Sequence, residues 1–231
     1  MKGSSNVFDL LAGMALYCYD ITVNIVHEKF NTCMGAYKDE MQKKSGLCKK
    51  LEDRLGWLIQ LIASMLKAKS VSPKGFATSD QKEVEIYAAI LKLMDYTTSL
   101  YRENYFASMN LEFAYLAFCE GFRKEVIANP KRVTCGADNE FDTSSDTYSI
   151  LEQALQVSSF NQIIDMLLQK MIINLQVHSG KQEMVQLTLE YMKQIVTDSS
   201  RVKKMTELSS IQALLKNHGV CFDWLYRIDY C

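Results

Sequence analysis

The sequence predicts an all-α fold, and three observations support this prediction. Apolar residues recur at i, i+3, i+4 and i+7 along most of the 231 residues, which is the spacing of amphipathic helices. The chain has only 2 prolines and 10 glycines, whereas strand-rich folds need many tight turns built from these residues. Hydrophobic residues make up 48% of the chain, which is enough to fill a sizeable buried core.

The charge balance and the cysteines restrict the partners and the compartment. The formal net charge is −1, so no strong global field would attract nucleic acid or anionic lipid. The seven cysteines are an odd number and form no CxxC motif, which is typical of reduced thiols in the cytoplasm or nucleus. We find no secretory signal pattern and no run of 18 apolar residues, so we expect no membrane insertion.

The predicted helices follow one another with short connections. Residues 1–50 hold either one long helix or two in tandem over 7–41, and a charged, glycine-containing stretch at 43–50 ends them. Residues 51–130 hold helical repeats, with helices predicted at 51–69, 79–100 and 108–128. Residues 131–146 are polar and predict a surface loop. Residues 147–231 hold further repeats and a truncated carboxy-terminal end, with helices predicted at 147–156, 160–178, 181–197 and 201–216.

Cap residues support several of these boundaries. Ser4 or Ser5 would cap the first helix, Ser79 the third, Ser108 the fourth, and Ser158 or Ser159 the helix at 160–178. The Asn129-Pro130 pair would end the fourth helix, because the residue before a proline disfavours the α region.

The spacing of alternate helices indicates a repeat architecture. Their predicted starts lie near residues 51, 108, 159 and 201, at separations of 57, 51 and 42. Helix pairs of the HEAT type repeat at roughly 40–47 residues, and the loops would lengthen the first two separations. Each pair has a face that it cannot bury alone, so neighbouring pairs must stack. The sequence therefore predicts a HEAT-like solenoid of antiparallel helix pairs.

Residue patterns of catalytic or cofactor sites are missing from the sequence. No Walker A loop, GxGxxG, GxSxG or HExxH motif occurs. Glu83 and Glu85 are a close carboxylate pair, but residues i and i+2 of a helix do not face each other, so a solvated surface is the better interpretation. His218 and Cys221 have a spacing that could begin a zinc site, but no second ligand pair lies nearby. We therefore predict no enzyme activity, no catalytic residue, no cofactor and no metal.

Other single features have ordinary interpretations. His178 lies near the end of an apolar helix and would interact with its C-terminal dipole. The basic pairs Lys43-Lys44, Lys49-Lys50 and Lys203-Lys204 have no aromatic residues interleaved with them, so they indicate solvated helix faces rather than phosphate contacts.

Four segments resemble, in order, a family of nuclear transport receptors. RLGWLIQLIASML, from residue 54, is similar to that family's RLxWLxxxIxxxI helix. LEFAYLAFCEGFRKEVI, from residue 111, resembles LExAxLxFFExFRKxYI. Residues 169–196 resemble a KIxTNLxxW stretch followed by a TLxLLxxL helix, with His178 in place of the tryptophan. SSRVKKMTELSSIQALLKNHG, from residue 199, is similar to SSVRKLxKLxxVxxLLxNH. The matching positions are Leu111, Glu112, Ala114, Leu116, Phe118, Glu120, Phe122, Arg123, Lys124, Ile127, Lys170, Ile172, Asn174, Leu175, Ser200, Lys203, Leu208, Leu214, Asn217 and His218.

On these motifs the chain resembles the exportin-7 and Ran-binding protein 17 family of the importin-β superfamily. The resemblance implies a helical solenoid that binds Ran-GTP and cargo proteins, passes nuclear pores, and is found in the cytoplasm and nucleus. It also implies a middle portion of a longer receptor, without the amino-terminal repeats that do most of the Ran binding. The matched positions look like core packing, so the resemblance assigns no partner-binding residue. A generic helical-repeat adaptor without Ran dependence stays the alternative.

Overall fold

The computed structural model describes residues 5–43, 46–71, 81–102, 108–127 and 146–198. These residues form helices joined by short turns, and no strand occurs within the described ranges. The helices are α1 (Ser5–Tyr17), α2 (Tyr19–Lys43), α3 (Cys48–Val71), α4 (Gln81–Arg102), α5 (Met109–Phe122), α6 (Asp146–Leu155), α7 (Phe160–Val177) and α8 (Gln182–Asp198). A π-helical turn, Arg123–Ile127, continues α5. The all-α prediction is confirmed.

The structure decides between one long amino-terminal helix and two. α1 and α2 follow each other almost directly, and the break is at Cys18. The Cys18 N–H donates to the Ala15 carbonyl at 3.2 Å, which is an i→i−3 bond and not the helical i→i−4 bond. The Thr22 hydroxyl donates to the Cys18 carbonyl at 3.0 Å. Such back-bonding by threonine competes with the helical ladder and bends helices.

The helices stack in two layers. In the first layer α1 packs on α3, α3 packs on α5, and α5 packs on α8. In the second layer α2 packs on α4, and α4 packs on both α6 and α7. Contacts of α2 with α3 and of α7 with α8 join the two layers. Each helix therefore contacts its immediate neighbours, as expected for a helical-repeat array.

The alternation of helices between the two layers changes after α5. α3 and α5 lie in the first layer, but α7 lies on α4 in the second layer. The short α6 also packs on α4. Two successive helices thus share the second layer, and α8 packs on α5 in the first layer.

The core fills the space between the layers, and its centre is aromatic. The Tyr87 ring lies 6.2 Å from that of Phe118 and 5.7 Å from that of Phe122, and the last contact is edge-to-face. All three side chains are fully buried. Aromatic pairs with this geometry are favoured by the ring quadrupoles beyond the area that they bury. The aromatic cluster thus holds α4 against α5.

The predicted helix caps are only partly correct. Ser108 and Ser159 occupy the N-cap positions of α5 and α7, but neither side chain bonds to its own helix. The Gln162 side chain instead accepts the N–H of Ser158, the residue before the N-cap, at 2.7 Å. The Ser4 and Ser79 caps, the stop at Asn129-Pro130, nearly all of the 131–146 loop and the helix at 201–216 lie outside the described residues.

Candidate interaction surfaces and the buried pairs behind them

The Glu83 carboxylate lies at a buried junction of α2, α3 and α4, so the prediction of a solvated surface is wrong for this residue. Glu83 is 3% exposed. It accepts hydrogen bonds from the hydroxyls of Tyr19, at 2.8 Å, and Tyr87. The Lys69 ammonium lies 2.6 Å away and also over the Tyr19 ring. A buried carboxylate needs such charge and hydrogen-bond partners, and these lie on three different helices, which local sequence spacing cannot reveal.

Glu85 has different partners, as the i, i+2 argument predicts. Its carboxylate lies 3.3 Å from His27 Nε2 on α2 and 3.2 Å from Lys82 Nζ one turn earlier. The Asn31 amide contacts the same His27 nitrogen at 3.0 Å. Glu83 and Glu85 therefore do not form a dyad. They bind α4 to its neighbours through separate contacts.

A second buried pair joins α5 and α7. Lys170 Nζ lies 2.7 Å from Glu112 Oε1, and the two side chains are 2% and 0% exposed. The Lys170 ammonium also donates to the Thr97 hydroxyl of α4 at 3.2 Å and lies over the Tyr115 ring. Burial raises the pKa of the Glu112 carboxyl, and the Lys170 charge and the Asn174 amide oppose that shift. One ion pair thus fixes three helices relative to one another.

The motif positions that resemble the family are mainly interior. The described matched positions that are buried are Leu111, Glu112, Ala114, Leu116, Phe118, Phe122, Lys170 and Asn174. Sequence reasoning assigned these positions to core packing, and that assignment is confirmed for them. The motifs did not reveal that three of these buried positions, Glu112, Lys170 and Asn174, are polar and interact across the interface between α5 and α7. Two motifs about 60 residues apart in sequence each supply one charge of the pair.

A groove of about 290 Å³ lies between α1, α3 and α5. Apolar and polar residues line it together: Phe8, Asp9, Gln60, Ala63, Ser64, Lys67, Ala117, Glu120 and Gly121. Glu120 accepts a hydrogen bond from Lys124 Nζ at 2.9 Å and one from the Tyr191 hydroxyl at 3.2 Å. The Tyr191 contact connects this wall of the groove to α8.

The outer face of α1 and α2 presents a row of exposed apolar side chains. We call this row the outer seam; its members are Val7, Leu10, Met14, Tyr17, Ile21 and Ile25. Cys18 is also exposed, whereas Phe8, Ala12, Ala15 and Tyr19 on the opposite face are buried. Each helix has two apolar faces, and periodicity alone does not separate them.

The remaining predicted features lie at helix ends or outside the described ranges. His178 ends α7, and its backbone N–H donates to the Asn174 carbonyl at 2.9 Å. Burial lowers the pKa of its imidazole, and the Lys170 and Lys181 charges lower it further. The imidazole lies at the carboxy-terminal end of α7, and its interaction with the helix dipole stays a prediction. Lys43, Lys49 and Lys50 are exposed; Lys44, Lys203, Lys204, His218 and Cys221 lie outside the described residues.

No three histidine, cysteine, aspartate or glutamate side chains of the described residues are grouped so that they could hold a metal ion. None of the helices in the described ranges is long and apolar enough to cross a membrane.

The stacked layers define this chain as a helical-repeat protein. The model of the family "Exportin-7-like, TPR domain" matches residues 4–227. Exportin-7-B of Xenopus laevis is 26% identical over 206 residues, and Ran-binding protein 17 of Mus musculus is 19% identical over the same length. Each alignment covers 87% of this chain. The chain belongs to the exportin-7-like family.

The chain spans 18% of the length of these curated relatives. No solved structure matches it. The family resemblance found in the sequence motifs is thus confirmed, and its polar motif residues have defined structural positions.

Proposed function

We propose that this chain contributes to a nuclear export receptor of the exportin-7 type that binds cargo protein and Ran-GTP. The match of the family model over residues 4–227 carries this proposal. The name of one relative states that it binds Ran, and the name of another states that it is an exportin. In this proposal the protein acts in the cytoplasm and nucleus, contacts nuclear pore proteins, and binds its partners without catalysing a reaction or holding a cofactor.

The proposed mechanism is binding linkage. Ran-GTP and cargo would each stabilise the same solenoid curvature, so that each raises the affinity for the other by the same factor. Hydrolysis of GTP on Ran would then release the cargo. In the two-layer array each helix contacts mainly its neighbours, and small changes between neighbours add up along a solenoid. This architecture supports the proposal.

The experiment measures the affinity for Ran, in two nucleotide states, of a receptor that contains these 231 residues together with amino-terminal repeats, because the family resemblance assigns most of the Ran binding to those repeats. Ran is loaded with GDP or with a non-hydrolysable GTP analogue, and binding is followed by biolayer interferometry. We expect the GTP-analogue form to bind at least about tenfold more tightly, which corresponds to roughly 1.4 kcal/mol. Binding that is equal for the two forms, or absent for both, would contradict a Ran-dependent role.

A helical-repeat adaptor without Ran dependence is the second candidate function. The outer seam favours it, because an exposed apolar helix face can bind another helix in any nucleotide state. Equal affinity for Ran in both nucleotide states, together with binding of a helical partner, would support this alternative over the first.

A further inference from the structure

His178 continues a row of polar side chains on the buried face of α7. Lys170, Asn174 and His178 are four residues apart, and side chains in steps of four lie one above another on a helix. Lys170 and Asn174 are buried, and Lys170 pairs with Glu112 of α5. The His178 imidazole therefore lies at the end of the polar contact that joins α7 to α5.

The described residues offer no acceptor to one nitrogen of the His178 ring. Its Nε2 atom is buried and has no hydrogen-bond partner among them. A neutral imidazole carries a single N–H, which can be on the other nitrogen, whereas a protonated imidazole is a donor at both nitrogens. Protonation would thus place an N–H group at Nε2 without an acceptor in the described part of the chain. A buried donor in that state is unfavourable.

The charges around the ring also oppose its protonation. Burial lowers the pKa of the imidazole most, and Lys170 of α7 and Lys181 in the turn to α8 lower it further. The Glu112 carboxylate of α5 is already paired with Lys170, and α4 contributes the neutral Thr97 hydroxyl. Glu183, in the first turn of α8, is exposed to solvent. A proton on the ring would therefore add a cation beside a lysine whose carboxylate is already occupied.

The dipole of α7 acts in the opposite direction. His178 is the C-cap residue of α7, and its backbone N–H donates to the Asn174 carbonyl at 2.9 Å. A helix C-terminus attracts a cation, but with the equivalent of only about half an elementary charge. Each of the two lysines carries a full charge, and burial adds to their effect. The surroundings of His178 therefore favour the neutral ring in the packed state.

We propose that His178 is a proton-operated release of α7. When the ring takes up a proton, α7 separates more readily from α5 and α4, and α8 follows because it packs on α7. Local opening is expected of helices that contact mainly their neighbours. The proposal does not depend on the binding of Ran or cargo, because it rests on the surroundings of one side chain.

Hydrogen exchange of the 231-residue chain, followed by mass spectrometry, measures this opening. Exchange is compared at about pH 7.5 and about pH 5.5, and each rate is divided by the intrinsic rate at that pH. The packed ring binds a proton less readily than the opened ring, so opening is favoured as the pH falls through about 6.5. We expect the protection of α7 and α8 to fall at least about threefold, and one histidine limits the fall to about tenfold.

Two substitutions remove the titration of residue 178. His178→Gln keeps a polar side chain without a charge, and His178→Phe keeps a ring. In both variants the protection of α7 and α8 should be the same at the two pH values. His27→Gln is the matched control, because the His27 ring faces the Glu85 carboxylate at 3.3 Å, at the contact of α2 with α4. This control should keep the acid sensitivity of α7 and α8.

The proposal fails on any of three results. The first is that the protection of α7 and α8 in the original chain is the same at both pH values. The second is that this protection rises in acid, because the helix dipole would then outweigh burial and the lysines. The third is that His178→Gln or His178→Phe loses as much protection in acid as the original chain does.

Discussion

Gly121 of α5 lies so close to Leu66 of α3 that a side chain on the glycine would collide with it. A Cβ at position 121 would be 3.0 Å from the Leu66 Cβ and 3.1 Å from the Ala63 carbonyl oxygen. The second of these atoms belongs to a helix backbone, which cannot move without shifting the whole of α3. The absence of a side chain at position 121 thus sets the distance between two neighbouring helices of the first layer.

We predict that Gly121→Ala destabilises the protein. Overpacking a close helix contact costs about 1–3 kcal/mol, which outweighs the roughly 0.5–1 kcal/mol that alanine gains over glycine in a helix. Urea unfolding followed by circular dichroism measures the change. Gly35→Ala in α2 is the matched control, since no atom lies within 4 Å of its added Cβ. Gly35→Ala should raise the free energy of unfolding. An equal rise for Gly121→Ala would contradict the close contact between α5 and α3.

Glu120 should contribute stability that is lost in acid. Burial alone would raise the pKa of its carboxyl, but the Lys124 and Lys67 charges and the Tyr191 hydroxyl together lower it below the usual value of about 4.5. As the pH falls, the Glu120 carboxyl therefore takes up its proton at a higher pH in the unfolded chain than in the native chain. The free energy of unfolding consequently decreases as the pH drops through about 4.5. The stability advantage of the original chain over Glu120→Gln should be constant from pH 7 to 5 and shrink below about pH 4.5. An advantage that grows with acidification would contradict this assignment.

The cysteines should differ strongly in reactivity. Burial raises the pKa of the Cys119 thiol to about 12, and the nearby Glu112 charge adds to this shift, whereas Cys18 is exposed. Because the thiolate is the reactive form, alkylation of native protein at pH 8 should be slower at Cys119 than at Cys18 by at least about a hundredfold. Mass spectrometry of the alkylated peptides measures both rates. Similar rates in the native protein, rather than only in urea, would contradict the packing of α5.

The sequence predicts the helices well because their information is local. Apolar periodicity and breaker residues place the described helices within a few residues of their observed bounds, and α3 is an example: predicted at 51–69, it is observed at Cys48–Val71. The break at Cys18 was left open, because no glycine or proline stands at this position to mark it.

Side-chain contacts between helices that are far apart in the sequence could not be predicted from local patterns. Glu83 is four residues from Tyr87, but its partners Tyr19 and Lys69 come from two other helices. The interpretation of Glu83 as solvated surface follows from local spacing and fails because the packing of α2 and α3 covers it. The two faces of α1 were also not separable, because both are apolar and only the position of α3 decides which is buried.

Polar positions shared with the family motifs hold the helices of this array together. Glu112 and Lys170 are the pair that shows this most directly, because they are buried, lie 2.7 Å apart and come from separate motifs. Removing one member leaves the other as an unpaired buried charge, which costs about 3–5 kcal/mol. Removing both members leaves no unpaired charge. The double variant should therefore lose much less free energy of unfolding than the two single variants lose in sum.

A double-mutant cycle measures this directly. The free energy of unfolding in urea is determined for the original chain, Glu112→Leu, Lys170→Met and the double variant. We predict that each single substitution costs about 3–5 kcal/mol and that the double variant recovers at least about 2 kcal/mol of the summed loss. Single losses below about 1 kcal/mol, or losses that simply add in the double variant, would contradict the claim that this pair joins α5 to α7.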